Sequence, residues 1–307
     1  IIPDGHHGDD LLPVEEQGQR PLHHHSGLHR LAVLVDALDT LGEARVVRVG
    51  AQLELRQGRL VGLGLALADP ARGLPAEPRR DLPEREGWQS GRYGGSLVML
   101  ARGGRDARDL ALFGYARLVV WNEKLELVPD ILQSVEVLDE RVFTLTLREG
   151  HRWSDGAPFT TEDFRFWWED VANNAELSPA GLPPELLAKG QPPRVEIVDA
   201  TQVRFSWQAP NPRFLPALAA ASPLFIYRPA HYLKQFHANY AAAEELNRQA
   251  KAFGLATWAE LFRRKDRLFF LDNPELPILQ PWVNTSAPPA ERFVARRNPY
   301  FHRVDGE

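Results

Sequence analysis

The chain of 307 residues contains no cysteine. That excludes disulfides, thiolate metal sites, a cysteine nucleophile and a lipidated cysteine. It also lacks an apolar run of the roughly 18–20 residues that cross a membrane. The longest, LVGLGLALA at 60–68, has only the length of a signal-peptide core, and Arg56 and Arg59 precede it, so a remnant export signal is one reading. There is no large excess of either charge. The net charge is −5 with both signs interspersed, which implies no basic surface for nucleic acid.

A further absence divides the chain. All 29 aromatic residues lie from Trp88 onward, and residues 1–87 also lack Lys, Asn and Met. A segment without aromatic anchors, rich in Arg, Gly, Leu, Ala and Pro, buries a core poorly. Residues 1–87 therefore read as composition-anomalous, either non-native (a fusion or a wrong-frame translation of GC-rich DNA) or disordered. A small genuine domain is the alternative, with helical apolar spacing over 28–41 and strand-like alternation over 44–56. His23, His24, His25 and His29 can offer imidazoles to a metal, but no carboxylate completes a recognised set, so no metal site is expected.

Residues 88–307 are organised differently. SLVML at 96–100 reads as a first buried strand, and 127–130 as an extended exit from Trp121-Asn122. Strands are expected over 134–137 and 141–148, and again over 194–198 and 202–208. A helix is expected over 161–174, and others beginning at Pro212, at Pro229 and after Thr257, where TWAE is a capping box. Residues 241–253 read as an exposed helix, 178–193 as a loop and 291–297 as a last strand. Hairpins mixed with helices argue for a mixed α/β (α+β) class rather than a doubly wound repeat.

The stretch 148–164, REGHRWSDGAPFTTEDF, places His151, Ser154 and Asp155 within five residues. These are the residue types of a hydrolase triad, but a triad is assembled by the fold, not by sequence adjacency. Ser154 also lacks the G-x-S-x-G elbow. Each residue has a structural task instead. Ser154-Asp155-Gly156 is a turn, Thr160 is an N-cap with Asp163 three residues on, and Phe159 and Phe164 are spaced for a hydrophobic staple. Phe164, Trp167, Trp168 and Val171 then form a buried stripe that leaves Glu169 and Asp170 facing solvent. Trp153 is assigned to the core, as is Trp282 near Asn284.

Taken together, LVPDILQSVEV, FTLTLREGHRWSDGAPFTTEDF, SPLFIYRPAHYLKQFHANY and FVARRNPYFHRVDGE resemble the bacterial solute-binding proteins of family 5 over residues 91–307. The chain departs from the family pattern at Val135 and Thr161, where Trp and Ala are commoner. The resemblance implies a periplasmic-binding-protein-like lobe, with a small extra subdomain at about 125–215 and the second lobe largely absent. It implies an exported, periplasmic or extracellular, monomeric protein that captures an oligopeptide or similar small solute for ABC permease subunits, without enzymatic activity or cofactor. Ligand is then expected at Arg102, Arg105 and Asp106, at Phe113 and Tyr115, and at Ser222, Pro223 and Leu224. For the charged residues among these the alternative is a solvated loop, and for Tyr115 core packing. Two other readings stay open: a secreted hydrolase using Asp163, Glu169 or Asp170, and a fragment without autonomous activity.

Overall fold

The computed structural model describes residues 74–81, 96–101 and 116–305, apart from positions 269, 271, 272, 288 and 291, and places strand backbone between 30 and 66. In that first part lie β1 (Arg30–Val33), β2 (Val35–Leu38), β3 (Ala44–Val46), β4 (Val49–Gln52) and β5 (Val61–Ala66), followed by β6 (Arg79–Asp81) and β7 (Ser96–Ala101). The helix expected over 28–41 is therefore replaced by two four-residue strands. Short apolar runs of this kind do not separate helix from strand by periodicity. Within the run at 60–68, read as a possible export signal, Val61–Ala66 form β5.

Next come β8 (Val119–Trp121), β9 (Leu127–Pro129), β10 (Leu132–Leu138) and β11 (Val142–Leu147), then α1 (Thr161–Phe166). After α1 follow β12 (Arg194–Ile197), β13 (Gln202–Ser206), α2 (Phe214–Leu218), α3 (Ala230–Leu233), α4 (Ala243–Ala252) and α5 (Trp258–Lys265). The chain closes with β14 (Trp282–Asn284), β15 (Arg292–Arg297) and β16 (Arg303–Asp305). Thus 291–297 is not the last strand. β16 follows, pairing in parallel with β6.

One antiparallel sheet has the order β10-β11-β13-β12. Phe143, Leu145, Val203 and Phe205 point from its two middle strands into the core. The β10–β11 turn carries Asp139 and Glu140 at φ +52° and +51°, with Arg141 N–H donating to Leu138 O at 3.0 Å. Positive φ at both central residues matches the twist of a two-residue hairpin. A second sheet has the order β14-β15-β5-β7-β2-β3, in which β5 runs parallel to β15 and antiparallel to β7.

The compositional break at 87/88 is not a break in hydrogen bonding. Ala76 N–H donates to Glu149 O at 2.9 Å, and Arg148 Nη1 donates to Glu77 O at 2.7 Å.

Helix α1 begins as its sequence dictates. Thr160 Oγ1 accepts from Glu162 N–H at 3.3 Å, while Asp163 Oδ2 accepts from Thr160 N–H at 3.0 Å. Phe159 and Phe164 close the staple with ring centroids 5.8 Å apart. The expected helix does not continue as an α-helix to 174. Residues Trp167–Ala172 form a π-helical turn, with Asn173 N–H donating to Trp168 O at 3.3 Å. The buried face differs from the expected stripe: Phe166, at the end of α1, is fully buried and Trp168 only half-buried. Asp170, expected at the surface, is 6% exposed. Its carboxylate accepts from Tyr240 Oη at 2.7 Å and from Asn239 Nδ2 at 3.0 Å. These partners offset the cost of desolvating its charge.

The remaining local signals are realised with small shifts of boundary. Thr257 and Glu260 form the reciprocal capping box of α5. Pro229 is the N-cap of α3 rather than its first residue, and α2 starts at Phe214, two residues after Pro212. Within the loop 178–193 a 3₁₀ turn spans Pro184–Leu186. Trp282 is half-buried on β14, and Asn284 is buried beside it.

Candidate ligand-binding site

His151, Ser154 and Asp155 do not converge. Ser154 Oγ accepts from Ile278 N–H at 3.0 Å, and Ser154 N–H donates to Ile278 O at 3.0 Å. Asp155 Oδ1 caps Ala157 N–H at 3.0 Å, and its Oδ2 pairs with His231 Nε2 at 2.8 Å. His151 is 2% exposed and packs edge-on against Phe159 at 5.5 Å. Burial holds its pKa well below the usual value, so the ring is neutral at pH 7. The triad letters serve three separate joints.

The joints link distant segments of the chain. Trp153 is fully buried and donates from Nε1 to Asp163 Oδ2 at 3.1 Å. Asp163 also accepts from Ala230 N–H at 3.0 Å, and burial nevertheless pushes its carboxyl up to about 6. Lys234 Nζ reaches Glu162 at 2.7 Å, and His237 Nε2–H donates to Asp170 O at 2.9 Å while Nδ1 accepts from Asn239 N–H at 3.1 Å. Gly156 sits at φ +91°, where a Cβ would come within 2.9 Å of Tyr300 Oη.

Asp130 is the most connected of these joints. It is fully buried and accepts from Arg117 N–H at 2.9 Å, His302 Nε2 at 2.8 Å, Arg303 Nε at 2.7 Å and Arg303 Nη2 at 2.6 Å. Burial alone would raise its pKa, but the His302 and Arg303 donors outweigh that and hold it far below the usual carboxylate range. Burial lowers the His302 pKa, so its ring donates as a neutral imidazole and Arg303 carries the ion pair.

Of the expected ligand contacts, Arg102, Arg105, Asp106, Phe113 and Tyr115 lie outside the described residues. Ser222, Pro223 and Leu224 form the turn between α2 and α3, with Ser222 exposed and the other two half-buried. Arg117, buried and not anticipated from sequence, donates to Ala220 O at 3.4 Å and to Ala221 O at 3.3 Å, while Leu224 N–H returns to Ala217 O at 2.9 Å. Pro223 and Leu224 form a ridge between two clefts. One, of about 380 Å³, is bounded by Glu185, Arg213 and Pro216. The other, of about 420 Å³, lies under Trp167, Phe225 and Phe262. Concave, mostly apolar clefts with a few fixed polar groups are what a small-solute site requires. Among the described residues no group of three or more His, Asp or Glu side chains is placed to hold a metal ion. The histidines at 23–25 and 29 lie outside the described residues.

The profile of "Bacterial extracellular solute-binding proteins, family 5 Middle" matches residues 126–307. The chain belongs to this family. The family 5 chain shares 29% identity over 185 residues with the periplasmic alpha-galactoside-binding protein of Rhizobium meliloti (strain 1021), covering 60% of this chain and 24% of that protein. It shares 40% identity over 62 residues with the periplasmic murein peptide-binding protein MppA of Escherichia coli (strain K12), covering 20% of this chain and 12% of that one. The solved structure of an oligopeptide-binding protein, OppA, superposes with a TM-score of 0.64 at 33% identity, covering 78% of this chain and 36% of that one. This solute-binding protein therefore spans about a quarter of the first relative's length and about a third of the solved structure. Its fold is the mixed α/β, periplasmic-binding-protein-like one expected from the sequence. Among the described residues no helix is long and apolar enough to cross a membrane.

Proposed function

We propose that this family 5 chain captures oligopeptides outside the cytoplasmic membrane and delivers them to the permease of an ABC importer, binding its solute without turning it over. The observation that carries the peptide reading is the likeness to the oligopeptide-binding structure, at 33% identity with a TM-score of 0.64. The ridge of Ser222, Pro223 and Leu224, flanked by two clefts, would give such a solute a first-lobe contact surface. Arg102, Arg105 and Asp106 would pair with peptide termini, and Phe113 and Tyr115 would wall a side-chain pocket. The chain acts as a monomer in this scheme and needs no cofactor. A sugar reading is favoured by one relative, the alpha-galactoside-binding protein.

The test is tryptophan fluorescence of the full-length gene product with a mixture of tri- to pentapeptides, followed by chromatography of the recovered peptides. Saturable change with intact peptides is expected. Saturation by raffinose alone favours the sugar reading, and cleaved peptides refute the binding-only role.

A further inference from the structure

The cleft beneath Trp167 contains a group that the fold leaves half-satisfied. Asp266 follows α5, and its side chain is 9% exposed. Its Oδ2 accepts from Arg228 Nε at 2.6 Å, yet among the described residues its Oδ1 has no hydrogen-bond partner. A buried carboxylate oxygen without a donor is costly, and native interiors seldom leave one unless something else supplies the donor. Asp266 lines the 420 Å³ cleft together with Arg228, Arg263 and Ser178, and the other walls are apolar, among them Trp167, Leu224 and Phe225.

The frame of this cleft is fixed. Arg228 Nη1 is held by Phe225 O at 3.2 Å and Tyr227 O at 2.8 Å, so the guanidinium that pairs with Asp266 does not swing. Arg263 Nη1 is tied to Glu176 O at 2.7 Å. The π-helical turn brings Trp167, Val171 and Ala172 to one wall, and Ser178 Oγ donates to Val171 O at 2.9 Å, fastening the 178–183 loop over the opposite edge. π-turns of this kind are often found at functional sites.

We propose that this cleft is a side-chain pocket for an aromatic ring bearing a neutral hydrogen-bond donor, a phenol or an indole, whose O–H or N–H is received by Asp266 Oδ1. The charges decide the class. Two guanidiniums beside one carboxylate disfavour a cationic guest, and the unmet atom, Asp266 Oδ1, is an acceptor that calls for a donor, which an anion does not bring. The apolar walls and the volume suit one ring, and a buried ring with a polar tip needs an acceptor at its end. This pocket rests on the peptide reading and deepens it: it would select Tyr or Trp side chains in the captured peptide.

The test uses the full chain and three small probes: N-acetyltyrosinamide, N-acetylphenylalaninamide and N-acetyllysinamide. Binding is followed by the indole N–H resonance of Trp167 in ¹H–¹⁵N spectra. The tyrosine probe should bind at least about tenfold more tightly than the phenylalanine probe, the low end of what a hydrogen bond to a charged acceptor gives, and the lysine probe more weakly than either. In Asp266→Asn the tyrosine preference should fall to about twofold or less. Because loss of the Arg228 partner endangers folding of that variant, the wild-type tyrosine-to-phenylalanine ratio stands as an independent readout. Equal binding of the two aromatic probes, stronger binding of the lysine probe, or an unmoved Trp167 resonance overturns the proposal. Peptides captured without such a preference refute the pocket and leave the peptide reading intact, whereas failure to retain any peptide refutes both.

Discussion

Replacing Asp130 removes the acceptor on which three segments meet. Arg117 N–H, His302 Nε2–H and two N–H groups of Arg303 all end on its carboxylate, and the residue is fully buried. Asp130→Ala leaves a buried backbone N–H and a buried imidazole without their acceptor, together with a guanidinium that is 19% exposed. Removing one partner of a buried, hydrogen-bonded ion pair costs about 3–5 kcal/mol. Asp130→Asn keeps the volume and one acceptor oxygen, so about half of that loss is expected. In urea unfolding followed by tryptophan fluorescence, a slope of about 2–3 kcal/mol/M turns the alanine loss into a midpoint about 1–2.5 M lower.

The pH dependence has a definite sign. The folded pKa of Asp130 is depressed, so its stabilisation is present above the unfolded value of about 3.9 and is lost as pH falls below it. The gap between wild type and Asp130→Asn should therefore narrow below about pH 4. A midpoint shift under about 0.3 M for the alanine variant, or a gap that widens in acid, would refute the role given to this carboxylate.

Other substitutions separate the joints from one another. Asp163 titrates in the opposite sense: burial raises it to about 6, so its ionisation costs stability as pH rises from about 4 to 6. Measured by urea unfolding, Asp163→Asn should gain on wild type by about 2–3 kcal/mol between pH 4 and 7. Trp153→Ala should cost about 3–5 kcal/mol in the same assay, since the ring is fully buried. Ser154→Ala should lose only about 0.5–1.5 kcal/mol, the value of its Ile278 hydrogen bond, and leave solute binding unchanged. Glu140→Gly should stabilise by about 1 kcal/mol, because glycine relieves a positive φ that a glutamate side chain resists.

How much of this was legible in sequence depended on range. The N-cap at Thr160, the Phe159–Phe164 staple, the TWAE box and both hairpins were readable because their partners lie within a few residues. The π-turn at 167–172 and the burial of Asp170 were not. Asp170 is held by Asn239 and Tyr240, some 70 residues away, and nothing in the local spacing announces them. The docking of 74–81 was equally silent, since it rests on backbone groups of Ala76 and Glu77 and on one exposed side-chain contact, Gln133 Nε2 to Glu77 Oε2, 56 residues apart in sequence. The motifs that carry the family resemblance prove to be the places where distant segments lock together: Asp130 with His302 and Arg303, Asp163 with Ala230, Gly156 beside Tyr300. The ridge at 222–224 came from the resemblance alone. Its flanking clefts arise from the packing of α2, α5 and the 178–183 loop, which no single stretch encodes.

The most direct test of the central claim is equilibrium dialysis of the full-length gene product against one pool containing di- to hexapeptides and α-galactosides, with the retained solutes identified by mass spectrometry. Enrichment of intact peptides, weighted towards those with tyrosine or tryptophan, is the predicted result. Retention of α-galactosides alone, or of no solute, would contradict it.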